Sequence, residues 1–285
     1  MRRPKAVMIS DEAVSQHYQR ADLLHAIEDA IAKAGKSIEH ITMEDLGPLD
    51  EFHIGGRRAT QAFLDQLGFS ARHHIIDVGC GLGGAARFAA RQYHCRVTGI
   101  DVTEDYIKAG QAMSSWVGMD RHVTLKHGSA LAMPFQNQVF DGGYMLHVGM
   151  NITDKHQLFS EIYRVLRPGA ALGVFDAMRD RAGELAYPVP WANNTGSCAL
   201  ETTEQYAAAM RSAGFELSSI ENRSQYALDF FARMKARRPA KTVPPPLGLH
   251  LLMQKTTAEK LQNLVANIVM GYVAPTEMIA HKKQT

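Results

Sequence analysis

The stretch that decides how this chain folds is "HHIIDVGCGLGGAARFAARQYHCRVTGIDV", His73 to Val102. The run Ile75 to Val78 is short and rich in branched apolar residues, which suits a strand buried on both faces. Three glycines follow, Gly79, Gly81 and Gly84, in the spacing G-x-G-x-x-G. Residues 84–92 take up helical spacing, and Arg96 to Ile100 reads as a second strand. A strand, a glycine turn and a helix opening at the turn together form the start of a nucleotide-binding β-α-β unit.

The same rhythm continues outward. Residues 105–117 read as a helix, "HVTLKHGSA" (122–130) as a third strand and "VFDGGYMLHV" (139–148) as a fourth. "HQLFSEIYRVL" (156–166) reads as a helix stopped by Pro168 and Gly169, and "ALGVFDAM" (171–178) as a fifth strand. Repeated β-α-β predicts a doubly wound, mostly parallel α/β sheet of seven strands with helices on both faces. Residues 11–35 and 57–67 look helical, the first opening at Ser10, and residues 37–56 look like a polar connector. Residues 177–200 show no clear period. A helix over 201–213, a strand over 215–224, a mostly helical insertion over 226–268 and a last strand in "EMIAHKK" complete the chain. This divides it into an N-terminal helical lid segment (1–56), a core (57–225 and 269–285) and an insertion over the acceptor site (226–268).

Composition limits the function. At 285 residues and 46% hydrophobic content the chain can bury a full core. A net charge of +2 imposes no field that demands nucleic acid or a membrane surface. The three cysteines, Cys80, Cys95 and Cys198, are an odd number without C-x-x-C pairing. That suits a reducing compartment with neither a disulfide framework nor a metal site. No run reaches the ~18 apolar residues of a membrane span, and no apolar segment follows the basic N-terminus, so the chain reads as cytoplasmic.

The glycine loop serves two cofactor classes, and charge separates them. Asp77 sits two residues before Gly79, where a carboxylate would repel a bound pyrophosphate. It would suit a ligand carrying a sulfonium and an ammonium, which favours S-adenosylmethionine over NAD. Asp101, 20 residues after Gly81 and followed by Val102, stands at the end of the second strand, where an acid bonds ribose hydroxyls in either class. A helix cap is the bland reading of Asp101.

The order of the remaining pieces resembles the class I S-adenosylmethionine-dependent methyltransferases. The pieces are "GSALAMPFQNQVFDGGYMLH" followed by "RVLRPGAALGVFD". Within them the chain looks most like the group holding sarcosine and dimethylglycine N-methyltransferases and ubiquinone/menaquinone C-methyltransferases, on "DEFHIGGRRAT", "YPVPWA" and "PPPLGLHLLM". The resemblance implies an enzyme that methylates a small-molecule acceptor such as an amine, phenol or quinol by in-line displacement, with no nucleic-acid partner. A homo-oligomer is compatible with it. It also implies cofactor contacts from Asp77, Gly79, Cys80, Gly81, Asp101, Val102, Ser129 and Ala130. Family members often carry Asp where Ser129 stands, an acid where His147 stands and His where Asn151 stands, so the acceptor side is a variant of its own.

His147, at the mouth of the fourth strand, and His53, in the glycine-flanked "FHIGG", are the candidate catalytic residues, each with packing as the alternative. Tyr18, Asn151 and Trp191 are weaker candidates for touching the acceptor. Cys80 and Leu82 line the loop through backbone contacts, and Arg87 reads as a structural anchor. Arg233, Lys235, Arg237, Arg238 and Lys241 read as a solvated helix face. Two rivals stand beside methyl transfer. One is an NAD-dependent oxidoreductase, on the literal G-x-G-x-x-G. The other is a nucleic-acid-modifying or nucleic-acid-binding protein, against which the missing [DN]-P-P-[YF] and the near-neutral charge weigh.

Overall fold

A computed structural model of the chain describes residues 8–237 and 245–284. Seven strands form one sheet: β1 His74–Val78, β2 Arg96–Asp101, β3 Val123–His127, β4 Phe140–Leu146, β5 Leu166–Arg179, β6 Phe215–Asn222 and β7 Val273–Lys282. Their order is β3-β2-β1-β4-β5-β7-β6. β1 to β5 pair in parallel, while β7 runs antiparallel between β5 and β6. The sheet is thus the doubly wound, mostly parallel one that the repeated β-α-β pattern predicts.

The helices are α1 Asp11–Tyr18, α2 Leu23–Lys33, α3 Met43–Asp50, α4 Gly56–Leu64, α5 Gly84–Tyr93 and α6 Glu104–Trp116. They continue with α7 Lys155–Val165, α8 Thr203–Ala213, α9 Ser224–Arg237, α10 His250–Met253 and α11 Thr257–Val269. Buried Phe63 of α4, Ala89 of α5 and Ile107 of α6 pack in one cluster with Ile75 and Val97 of the sheet. Phe159 and Ile162 of α7 and Tyr206 and Met210 of α8 pack in another with Ile76, Val78 and Leu172. Successive residues of β1, Ile75 and Ile76, therefore feed opposite layers, as the two-residue period of a strand requires.

Three stretches differ from the sequence reading. Residues 11–35 are two helices, broken where Asp22 takes a left-handed conformation (φ 56°). Residues 37–56 hold α3, which opens on a capping box between Thr42 and Asp45 and buries Met43, Leu46 and Leu49. Pro168 does not stop α7, which ends at Val165; it lies in β5. The β4–β5 register jumps from Phe140↔Leu166 to Gly142↔Ala171, leaving Pro168 and Gly169 in an irregularity where no ladder bond needs an N–H.

The winding reverses between β1 and β4. The first connection leaves β1 for β2 on one side, and β4 pairs with β1 on the other. The carboxyl ends of β1, β2 and β4 meet at this point, where a doubly wound sheet leaves its crevice. Asp77, Asp101 and His147 stand at those three ends.

Candidate active site

Above this crevice lies a cavity of about 640 Å³, lined on the sheet side by Asp77, Gly79, Cys80, Gly81, Asp101 and Val102. The loop from β1 to α5 is fixed by its backbone. Gly79 N–H donates to Ile100 O at 2.8 Å and Cys80 N–H to the same oxygen at 3.1 Å. Gly79 (φ 72°) and Gly81 (φ 53°) both take left-handed conformations. They differ in surroundings. A Cβ on Gly79 would run into Val148, whereas one on Gly81 would meet only Tyr106 at 3.9 Å.

The two carboxylates are held differently. Asp101 Oδ2 accepts the Gly81 N–H at 2.9 Å and Oδ1 accepts the Thr103 N–H at 2.8 Å. Each oxygen keeps lone-pair capacity toward the cavity. The predicted ribose acceptor therefore also shapes the glycine loop. Asp77 is 2% exposed, and its Oδ2 accepts the Tyr144 hydroxyl at 3.1 Å. Burial raises its carboxyl to about 7, the Tyr144 bond opposes the rise, and Asp101 adds to it. Tyr144 faces Asp77 in the β1–β4 register, a pairing that one sequence does not reveal.

Of the expected cofactor contacts Ser129 and Ala130, only Ala130 lines the cavity, because the Ser129 hydroxyl is turned to its own loop. Gly128 and Ala130 line the cavity, while Ser129 Oγ accepts the Leu131 N–H at 3.0 Å. Tyr106, missed in the sequence, also lines the cavity, and its buried hydroxyl has no hydrogen-bond partner. Arg87, fully buried, donates from Nη1 to Leu82 O (2.8 Å), Gly110 O (3.2 Å) and Ser114 Oγ (3.0 Å), and from Nη2 to Asp50 Oδ1 (2.6 Å). It ties α5 and α6 to the end of α3 behind Leu82 and Asp50, which line the cavity, and does not line it itself. The anchor reading fits it.

At the end of β4 His147 takes a left-handed conformation (φ 55°), its N–H donating to Phe175 O at 2.7 Å. The imidazole stands edge-on to Phe175, with ring centroids 4.8 Å apart. Both ring nitrogens are buried without partners. Burial, and then the neighbouring His53, lower its pKa to about 3, so the ring is neutral. His53, with centroid 6.0 Å from His147, is fully engaged. Its Nε2 lies 2.8 Å from Thr60 Oγ1 and 3.0 Å from Glu51 Oε2. Glu51 also binds Arg57 and accepts the Thr60 hydroxyl at 3.0 Å. Burial would raise the Glu51 carboxyl, but His53 and Arg57 outweigh it and hold it at about 2. Of the two candidate histidines, only His147 has nitrogens left for a ligand. Glu51 itself was signalled only by standing two residues before His53.

Tyr18 donates its hydroxyl to Asn151 Oδ1 at 3.2 Å, so two of the weaker candidates bond to each other. Trp191 is buried and lines the cavity, its Nε1 directed at Cys198 Sγ at 3.3 Å. Helix α1 buries none of its residues. It is held across the cavity by Tyr18 and by His17, whose Nε2 is 3.1 Å from Pro190 O. Arg233 and Lys235 are exposed, in keeping with a solvated face, and Arg238 and Lys241 lie outside the described residues. Among the described residues, no three His, Cys, Asp or Glu side chains could hold a metal ion. No described helix is long and apolar enough to cross a membrane.

Residues 76–174 match the family described as a methyltransferase domain. This match supports a class I S-adenosylmethionine-dependent methyltransferase, with its methyltransferase domain over β1 to β5. The chain is 28% identical to methyltransferase GfsG of Streptomyces halstedii over 184 residues, 64% of this chain and 66% of that one. Over 137 residues, 48% of this chain and 52% of its relative, it is 31% identical to O-methyltransferase resE of Aspergillus sclerotiorum. The chain spans about half to just under two thirds of the length of such curated relatives. Among solved structures, geranyl diphosphate C-methyltransferase of Streptomyces coelicolor A3(2) superposes with a TM-score of 0.70. That match is 17% identical and covers 98% of this chain and all of that one. The shared methyltransferase fold accounts for the seven strands and for the glycine loop at the mouth of β1.

Proposed function

We propose that this protein transfers a methyl group from S-adenosylmethionine to a small-molecule acceptor. The observation that carries the reading is the pair of carboxylates, Asp77 and Asp101, on either side of the Gly79–Gly81 turn. Asp77 puts negative charge where a pyrophosphate would need the opposite and where a cationic cofactor gains from it, and Asp101 stands where the ribose of the nucleoside would lie. The unpartnered Tyr106 hydroxyl and the open face of Gly81 fit a group lying against the loop. When bound, S-adenosylmethionine supplies a methyl group on a sulfonium already activated for displacement.

The chain's own residues then bind, align and exclude water. Asp101 is suited to ribose hydroxyls, Asp77 to the ammonium, and Gly79, Cys80, Gly81, Val102 and Ala130 to close contact. His147 offers a neutral ring nitrogen to the acceptor. His53 supports it through the Glu51 pair and does not touch the acceptor. Segment 1–56 and insertion 226–268 serve as the lid, with Tyr18, Asn151 and Trp191 on its inner side. Calorimetry with S-adenosylmethionine, S-adenosylhomocysteine and NAD tests the cofactor. Binding of the first two and not the third is expected, and tighter binding of NAD would refute the reading. Transfer of labelled methyl to an acceptor panel tests the reaction.

A further inference from the structure

The walls of the cavity say what kind of acceptor belongs there. Opposite the glycine loop, the space is bounded by Trp191, Phe231, Met234, Leu252, Leu261 and Leu264. These come from the segment after β5 and from three helices between β6 and β7, so apolar side chains from four elements share the cavity with His147.

The charged groups that line the cavity are already engaged or stand elsewhere. Asp50 is paired with Arg87, and Glu51 with His53 and Arg57. Asp77 and Asp101 flank the cofactor loop. Asp11 belongs to the first turn of α1, and Lys255 is exposed. Apart from Asp11 and the exposed Lys255, which also line the cavity, no described wall residue offers an unpaired lysine or arginine to a phosphate or carboxylate, or an uncommitted carboxylate to an ammonium on the acceptor side. A charged acceptor would lose its hydration without gaining a partner. A buried side chain that does lack partners is His147, with both ring nitrogens orphaned. A buried polar group of this kind calls for a partner from the ligand.

Resting on the methyl-transfer reading, we infer that the acceptor is a neutral, largely apolar molecule whose one hydroxyl, phenolic or enolic, is presented to His147. The hydroxyl donates to a neutral imidazole nitrogen. The oxygen–methyl bond forms as the methyl–sulfur bond breaks, that electron pair stays on sulfur as a thioether, and the hydroxyl proton passes to His147. One positive charge moves from sulfonium to imidazolium, so the cavity's net charge does not change. This is why a ring that resists protonation in isolation can take a proton here.

The test uses the full-length protein saturated with S-adenosylhomocysteine and three ligands of one shape: 2-naphthol, 2-naphthoate and 2-naphthylmethylammonium. Calorimetry should show 2-naphthol bound at least about tenfold more tightly than either ion, a factor equal to about 1.4 kcal/mol. A smaller preference, or no binding of 2-naphthol, overturns the inference. Leu261→Lys places a cation in the wall at a partly exposed position. It should weaken 2-naphthol at least about tenfold, improve 2-naphthoate, and leave S-adenosylhomocysteine affinity within about twofold; unchanged ranking would overturn the inference as well. The two readings fail separately. Tight S-adenosylhomocysteine with the wrong naphthyl ranking refutes the acceptor class alone, whereas no S-adenosylhomocysteine binding refutes methyl transfer and the acceptor class with it.

Discussion

Replacing Asp77 by Asn should stabilise the protein alone and weaken its hold on the cofactor. The folded carboxyl titrates at about 7 against 3.8 in an unfolded chain. A buried acid whose pKa is raised binds more protons folded than unfolded between those values, so its contribution to stability falls as pH rises through the window. The three-unit gap sets the size. The handicap grows from about 2 kcal/mol at pH 5 to about 4 kcal/mol at pH 8, both upper bounds. Asn keeps an oxygen for the Tyr144 hydroxyl and removes the titration. In urea melts of ligand-free protein, the gain of Asp77→Asn over wild type should therefore be about 1–2 kcal/mol larger at pH 8 than at pH 5. S-adenosylhomocysteine should in turn bind the variant about 10-fold or more weakly, since the ammonium loses a charge partner. A ligand-free variant destabilised equally at both pH values would refute the reasoning and leave Asp77 as a plain acceptor for Tyr144.

Further expectations follow from the neighbouring geometry. Gly79→Ala, which drives a Cβ into Val148 at positive φ, should lower the melting temperature most, whereas Gly81→Val, strained at positive φ but meeting no close neighbour, should cost less stability and lose cofactor binding in calorimetry. His147→Ala should cut methyl transfer ~10²-fold with cofactor affinity within about twofold, and His147→Asn should separate orienting from proton removal. Because burial holds the His147 pKa down at about 3, its own protonation should not lower the wild-type rate between pH 8 and about pH 5, measured at saturating S-adenosylmethionine so that the titration of Asp77 does not enter. Arg87→Met, which strands the buried Asp50, should destabilise the fold by about 3–5 kcal/mol in denaturant melts, and Arg87→Met with Asp50→Leu should recover much of that.

Much of the core was legible because its signals are local. Ile75 to Asp101 announces strand, turn, helix and strand within one window, and Asp77, Gly81 and Asp101 lie inside it. What escaped depends on pairings distant in sequence. Tyr144 matters only because β4 lies beside β1, and Asp50 only because Gly84 lets α3 approach α5, where a Cβ would meet the Asp50 carbonyl at 2.6 Å. Pro168 was read as a stop because its lost N–H was charged to a helix; the irregular β4–β5 register had no use for that N–H. The two histidines looked equivalent in the sequence, and hydrogen bonding alone separates the saturated His53 from the unsaturated His147.

The three helices α9 to α11 leave the sheet after Asn222 and return to it before Thr276, and those two residues are cross-strand partners in the β6–β7 ladder. Both ends of the helical part of the proposed acceptor wall are thus anchored at paired positions on strands that exist without it. Closing a longer or shorter loop between fixed points changes the entropy only logarithmically with length. The part of the molecule proposed to choose the acceptor can therefore be lengthened, trimmed or exchanged while the sheet keeps its register and the cofactor loop its shape. Within this architecture, a new substrate range requires no new enzyme core, only a different insert between two residues that are already neighbours.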